Sequence, residues 1–160
     1  MAAHGEAQYV TFGVGKEVFA APVAYVREIL DYREPFRIPQ APGHLIGLTD
    51  VRGRATPTVD LRIRLGLPTA PVTPDTRILV LDVPIDGRTL SVGLVTDRVF
   101  EVTSFKGEDL EAAPDVGVPW RSEYIAGVAR REGGFVVLIE LGKLFTSEDA
   151  AAFGAAELAA

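Results

Sequence analysis

The sequence predicts an all-β protein made of two related small units, and three observations carry that reading. Glycine and proline number 16 and 11 in 160 residues, and windows free of both run to only about a dozen residues. A helical bundle needs longer uninterrupted segments, whereas short strands joined by tight turns do not. Between these breakers lie short apolar or alternating runs, as strands require. The third observation is a repeat. Leu45–Leu65, LIGLTDVRGRATPTVDLRIRL, is echoed by Tyr124–Phe145, YIAGVARREGGFVVLIELGKLF. Gly47 and Gly127, Gly53 and Gly133, Asp60 and Glu140, Leu61 and Leu141, and Pro39 and Pro119 each stand 80 residues apart. A weaker echo links Val10–Ile29 to Ile78–Val102. Each reads strand, glycine turn, strand, then V-x-E-[IV], at Val26–Ile29 and Val99–Val102. Shared order and spacing point to two related units.

Composition narrows the function classes. With 48% apolar residues, the chain can bury one core or two closely packed smaller ones. Cysteine is absent, which excludes disulfides and thiolate chemistry and is compatible with a reducing cytosol. No run of about 18 apolar residues offers a membrane-spanning helix. The N-terminal MAAHGEAQ is short and polar, unlike a signal peptide. A net charge of −6 argues against a nucleic-acid partner.

The elements follow in order. Met1–Ala7 reads as a frayed tail. Tyr9–Val14 alternates as a half-buried strand, Gly15-Lys16 turns, and Glu17–Ala21 returns. GVGKE is no phosphate loop, because Val10 stands where that motif needs Gly and Glu17 where it needs Ser or Thr. Pro22 opens a short helical turn that passes into a strand ending near Asp31. Arg33–Pro42 is turn-rich. Leu45–Leu48 and Thr56–Leu61 flank a reversal centred on Arg52-Gly53, and Pro57 in the return segment implies a strand that lies at an edge or starts late. Asp60 closes that strand and caps the helical turn LRIRL. Gly66–Pro74 holds three prolines and marks the boundary between units. Arg77–Val83 is a continuous apolar strand, Asp86-Gly87 a hairpin turn, Thr89–Thr96 the return and Arg98–Phe105 a third strand. Gly107–Pro119 is a loop with the acidic cluster Glu108, Asp109, Glu111 and Asp115. Tyr124–Arg131 and Phe135–Leu141 form the second hairpin. Lys143–Ala160 is Ala-rich and reads as a C-terminal helix, weakened at Gly154.

No catalytic constellation emerges. The serines lie outside G-x-S-x-G, and two histidines without cysteine give no metal-ligand spacing. What remains is a small β protein with charged residues at strand ends, suited to binding. Arg52 at the hairpin tip is the leading candidate, with Glu28 as its first-ranked acidic neighbour and Asp50 competing for that role. The plainer reading is a solvated Arg in a surface ion pair worth ~0–1 kcal/mol.

These residues also resemble a known family. Val26-Arg27-Glu28-Ile29 and Arg37-Ile38-Pro39 look like its first unit. Gly47-Leu48, Val51-Arg52-Gly53, Pro57 and Val59-Asp60-Leu61-Arg62 match its central motif, G-x-x-x-[LIV]-R-G-x-x-x-P-x-x-D-L-R. Val92–Val95 with Asp97, and Ser122–Ile125 with Gly127, resemble its second unit. The match spans about Tyr9 to Phe145, and the family is that of the CheW chemotaxis coupling proteins. The resemblance implies two intertwined five-stranded, SH3-like barrels with short helical turns and a C-terminal helix. The first barrel would cover 8–67, with the helix 143–158 packed on it, and the second 75–142. It implies a cytoplasmic, non-catalytic adaptor without cofactor or metal, peripheral to membrane receptor arrays. Such an adaptor joins the cytoplasmic tips of chemoreceptors to the regulatory domain of the histidine kinase CheA, and pairs with further CheW copies. Positions matching the receptor groove are Val26, Glu28, Gly47, Arg52, Arg77 and Val102. Those matching the kinase contacts are Arg33, Pro35 and Ile38 in the first unit, and Glu111 and Val116 in the second. Two departures stand out. Asp50 replaces the family's common Asn, and Glu111 and Val116 replace a basic residue and a Phe.

Within the family, a scaffold of a non-motility array, a CheV-like protein and a CheA regulatory-type domain are the alternatives. CheV carries a receiver domain after the barrel, and this chain ends near Ala160. The short tail from Met1 favours a complete small protein. A small-molecule-binding β-barrel is the alternative of a different class, to be supported by an apolar cavity with convergent polar groups.

Overall fold

The computed structural model describes residues 7–39, 45–85, 87–111, 124–131 and 133–145. Its strands are β1 (Ala7–Val14), β2 (Glu17–Pro22), β3 (Val26–Asp31), β4 (Leu45–Val51), β5 (Arg54–Asp60), β6 (Arg77–Ile85), β7 (Arg88–Thr96), β8 (Arg98–Phe105), β9 (Leu110–Glu111), β10 (Ile125–Arg131) and β11 (Gly134–Ile139). Two one-turn helices, α1 (Leu61–Leu65) and α2 (Leu141–Leu144), follow β5 and β11, and a 3-10 turn at Val23–Tyr25 precedes β3. Of the expected tail, residues 1–6 lie outside the described residues, as do Asp86, Asp115 and Pro119, while Ala7 opens β1.

The strands form two sheets. One has the order β8-β1-β2-β11-β10-β9, the other β3-β6-β7-β5-β4. Laid side by side, β8 takes the place of β3, β1 of β6, β2 of β7, β11 of β5 and β10 of β4. The single parallel ladder of each sheet falls in the matching place, β11 on β2 and β5 on β7. Glycines 80 residues apart sit at matching bulges, Gly47 in β4 and Gly127 in β10. Asp60 and Glu140, also 80 apart, are the N-caps of α1 and α2. Asp60 accepts a hydrogen bond from the Arg62 amide, whereas the Glu140 side chain makes no cap bond. The two sheets do not follow the sequence halves. β1 and β2 lie in one sheet with β8 to β11, while β3 crosses into the other, so each sheet draws on both 8–67 and 75–142.

Alternation along the strands explains the continuous apolar runs. In β6, Leu79, Leu81, Val83 and Ile85 enter the large core shared by both sheets, which also holds Phe12, Phe19, Val59 and Leu94. Ile78 and Val80 face the other way, into a smaller cluster with Val51 and Val95. β11 repeats this pattern. Val137 and Ile139 join the shared core, while Val136 and Leu138 pack with Ala20, Phe105 and Ala129. A strand buried on both faces shows no period-two polarity, so it reads as an unbroken hydrophobic run.

Each sheet is rolled. In a flat sheet, β3 and the turn after β4 would be at least three strand spacings apart, about 14 Å. Instead the Arg52 Nε donates to Glu28 Oε2 at 3.1 Å. In the other sheet an Arg131 amino group reaches Glu101 Oε1 at 2.8 Å, from β10 to β8. The interior of each roll is filled by its own cluster of side chains.

Three expectations change. Pro57 is not on an edge strand, since β5 lies between β7 and β4. Leu48, opposite Pro57, uses its backbone N–H and C=O on Phe36 instead of on β5. The missing N–H of Pro57 therefore falls on the far side, just ahead of Thr58, where pairing with β7 begins. Glu111 is not in a loop but in β9, paired with β10. No helix starts at Lys143 and runs on, because α2 ends at Leu144 and Phe145 is extended at φ −109° and ψ 128°. The remainder of the expected helix, 146–158, lies outside the described residues.

Candidate functional site

The turn between β4 and β5 is a two-residue reversal with both residues at positive φ, 52° at Arg52 and 82° at Gly53. Consecutive positive φ values are the type I′ geometry that matches strand twist and normally carries Asn-Gly. The Asp50 carboxylate accepts the Gly53 amide at 2.9 Å and fixes the turn. That bond resolves which carboxylate pairs with Arg52. Asp50 is engaged with the backbone, and Glu28 on β3 takes the guanidinium. The Glu28 side chain is 17% exposed and that of Arg52 80%. Only Nε of Arg52 is engaged among the described residues, so both terminal nitrogens face outward. An unbranched but bulky side chain at left-handed φ costs about 1 kcal/mol relative to glycine. Such a residue at an exposed tip is a marker of function.

Val26 begins β3 and packs on the shared core. Arg77 sits at the far end of the β3–β6 ladder. It donates to the Pro74 and Thr76 carbonyls at 2.8 and 3.0 Å and faces Asp31 at 3.6 Å. Val102 lies on β8, the edge strand of the other sheet, 57% exposed. Glu28 and Arg52 thus touch, Val26 starts the edge strand β3, Arg77 lies on the neighbouring strand β6 opposite Asp31, and Val102 belongs to the second sheet.

Gly47 serves a different place. Its φ is 155°, and a Cβ there would run into the Phe36 carbonyl and stand 3.1 Å from Pro35 Cβ. It therefore lets the segment after β3 lie against β4, where Phe36 and Leu48 exchange two backbone hydrogen bonds of 2.8 Å. In that segment Pro35 is buried, Ile38 packs on the shared core and Arg33 is exposed beside a surface concavity of about 570 Å³. The outward residue is Phe36, 75% exposed. It lies inside the predicted segment Arg33–Ile38. An aromatic between Pro35 and Pro39, outside any strand pattern, was the available signal.

The second unit repeats the arrangement with different chemistry. Glu111 bridges Val128 as Phe36 bridges Leu48, and Val128 and Leu48 are 80 apart. Gly127 stands against the Glu111 carbonyl as Gly47 does against that of Phe36, but at a comfortable 3.4 Å. Glu111 accepts from Arg130 Nε at 3.1 Å, and that guanidinium lies 5.3 Å over the half-exposed Phe135 ring. Val116 lies outside the described residues.

One prediction follows from the two glycines. Gly47→Ala is expected to lower stability by about 2–3 kcal/mol, through clash with backbone and left-handed strain. Gly127→Ala is expected to cost under about 1 kcal/mol. Urea denaturation of both variants checks this, and equal losses would contradict it.

At the end of β5 opposite the Arg52 turn, Arg62 is buried and holds a bidentate pair with Asp60, both bonds 3.0 Å. It also donates to the Ala70 carbonyl at 2.9 Å and to Asp97 at 3.3 Å. Its bonds to Asp60 hold the guanidinium above its usual pKa, against the effect of burial. The other Asp97 oxygen accepts the Gly15 amide, 2.6 Å away in the β1–β2 turn. The Asp60-Leu61-Arg62 motif thereby ties the two rolled sheets together.

Comparison with known proteins agrees with this architecture. The family model described as the CheW-like domain matches residues 8–149. Chemotaxis protein CheW of Rhizobium meliloti strain 1021 is 30% identical over 146 residues, covering 91% of this chain and 92% of that one. Chemotaxis protein CheW of Bacillus subtilis strain 168 is 30% identical over 145 residues, covering 90% and 89%. Among solved structures, the scaffolding protein TtCheW from Thermoanaerobacter tengcongensis superposes with a TM-score of 0.78 at 25% identity, over 90% of each chain. With the repeat, the pair of rolled sheets and the arginine-tipped turn all in place, this chain belongs to the CheW-like domain family.

Proposed function

We propose that this chain is a non-catalytic adaptor that couples the cytoplasmic tips of chemoreceptors to the histidine kinase CheA. The observation that carries the reading is Arg52. It is held at its Nε by Glu28, kept in a left-handed turn that favours smaller residues, and left with both terminal nitrogens free among the described residues. A planar fork of this kind suits a carboxylate or the carbonyls that end a helix. The receptor side then comprises Val26, Glu28, Arg52, Arg77 and Val102. The kinase side is carried by Arg33, Phe36 and Ile38, propped by Gly47 and Pro35, and in the second unit by Glu111 with Arg130 and Phe135. An exposed aromatic beside a cation is the composition expected of an interface anchor. Further copies of this chain can pair through the same kinase-facing surfaces. The filled interiors of both rolls favour this reading over a small-molecule-binding barrel.

The test is reconstitution with a receptor cytoplasmic fragment and its cognate kinase, read by co-sedimentation and kinase phosphorylation. The chain is expected to sediment with receptor alone, and to bring the kinase down and raise its phosphorylation when all three are present. Kinase recruitment and activity that do not change on adding the chain would overturn the proposal.

A further inference from the structure

The second unit holds an ion pair on the same plan as Glu28–Arg52. In the motif V-x-E-[IV], Glu101 occupies the place of Glu28, on β8 in place of β3. Both edge strands carry one extra residue just ahead of the acid. β3 is bulged between Val26 and Glu28, and β8 gains a residue opposite Thr11. Bulges re-aim side chains and break the alternation of faces. Phe100, Glu101 and Val102 are accordingly exposed in succession. The buried Thr11 hydroxyl fixes the bulge, donating to the Glu101 carbonyl at 2.9 Å and accepting its amide at 3.2 Å. Glu101 is thus held on a rigid backbone. Its partner Arg131 comes from the end of β10, one residue earlier than the counterpart of Arg52.

The polarity is reversed between the two pairs. In the first the arginine is outermost, at 80% exposed against 17% for the acid. In the second the acid is outermost, 59% exposed against 34% for the arginine. Val26, the first residue of β3, and Val99, the second of β8, both pack on the shared core. The apolar residues following the acids, Ile29 and Val102, are exposed at 44% and 57%.

We propose that Glu101, held by the Thr11-fixed bulge and paired with Arg131, is a second contact point of the receptor-docking surface and presents a carboxylate where Arg52 presents a guanidinium. The inference rests on the docking reading of Arg52 given above. The occupant is the helical receptor tip, which sets an acidic group or helix-end carbonyls against Arg52 and a lysine or arginine against Glu101. Opposite charges at the two ends fix the direction in which that tip lies, because the reversed orientation would place like charges together. Val102, adjacent to Glu101, makes the new contact continuous with the surface already assigned.

The test measures binding of a soluble receptor cytoplasmic fragment to the full chain at low salt, with thermal melts of each variant. Glu101→Lys is expected to weaken binding by about tenfold or more, and Glu101→Gln by a smaller factor. Arg131→Gln separates contact from scaffold. It frees the carboxylate, so binding is expected to hold or tighten, whereas a pair that only closes the roll would make Arg131→Gln and Glu101→Gln lower the melting temperature alike and leave binding untouched. Unchanged binding in Glu101→Lys alongside weakened binding in Arg52→Ala refutes the second contact and leaves the first standing. Unchanged binding in Arg52→Ala overturns both.

Discussion

Replacing Arg62 by alanine is expected to lower folding stability by about 3–5 kcal/mol, the usual cost of leaving buried charge without its partner. For a chain of this size that corresponds to a fall in Tm of about 6–20 °C. Arg62 and Asp60 side chains are each 9% exposed, and Asp97 is 18% exposed. Removing the guanidinium leaves two carboxylates facing a vacated site and the Ala70 carbonyl without its donor. The network also spans both rolls through Asp97 and Gly15, so the loss acts on the junction of the molecule. Thermal melts and urea titrations of Arg62→Ala measure the effect. Arg62→Met combined with Asp60→Asn is expected to recover part of it, because the uncompensated charge is then reduced. The surface pair Arg27–Asp82, with side chains 42% and 30% exposed, provides the contrast. Arg27→Ala is expected to cost less than about 1 kcal/mol. Equal losses at the two sites would show that burial of the Arg62 network contributes nothing special.

Arg52→Asn is expected to leave the melting temperature unchanged or slightly raised while weakening receptor binding by at least about tenfold, or 1.4 kcal/mol. Asparagine tolerates left-handed φ better than arginine, which relieves about 1 kcal/mol at a φ of 52°. Against this stands the loss of the exposed Glu28 pair, worth ~0–1 kcal/mol. The two nearly cancel in folding, but no asparagine replaces the outward fork. Arg52→Lys is expected to lose binding as well, since a point charge does not reproduce two parallel donors. Melts paired with receptor-fragment binding check the prediction. A destabilised Arg52→Asn would make Arg52 a structural residue, and full binding with a normal melt would remove it from the interface.

Much of this architecture was legible because it depends on local rules. The tight reversal at Arg52-Gly53, the Asp60 cap on LRIRL and the burial of β6 each follow from a few neighbouring residues. The offset of 80 located equivalent glycines and caps without any structure. Other features depend on contacts the sequence cannot order. Pro57 reads as an edge residue because edge position is its usual solution. Its interior place works only because Phe36, from another segment, occupies the outer side of Leu48. Glu111 reads as one acid among several in a loop, and only pairing with β10 makes it the counterpart of Phe36.

By itself, then, the sequence determined the class of the fold, its duplication, the turn that carries Arg52 and the choice of family. These are consequences of residue type and spacing along the chain, which are fixed before any long-range contact forms. The tertiary structure decided how the partners meet. Glu28 takes Arg52, as the sequence ranks it, because the Gly53 amide already holds the competing Asp50 carboxylate. The Arg52–Glu28 and Arg131–Glu101 pairs exist because each sheet rolls until its edge strand meets the opposite hairpin. The exchange of β3 and β8 between the sheets decided that Val26 and Val99, far apart in sequence, both pack on one shared core. Rolling and exchange are set by burying both faces of the central strands at once, a requirement of the whole packed molecule that no single stretch of sequence expresses.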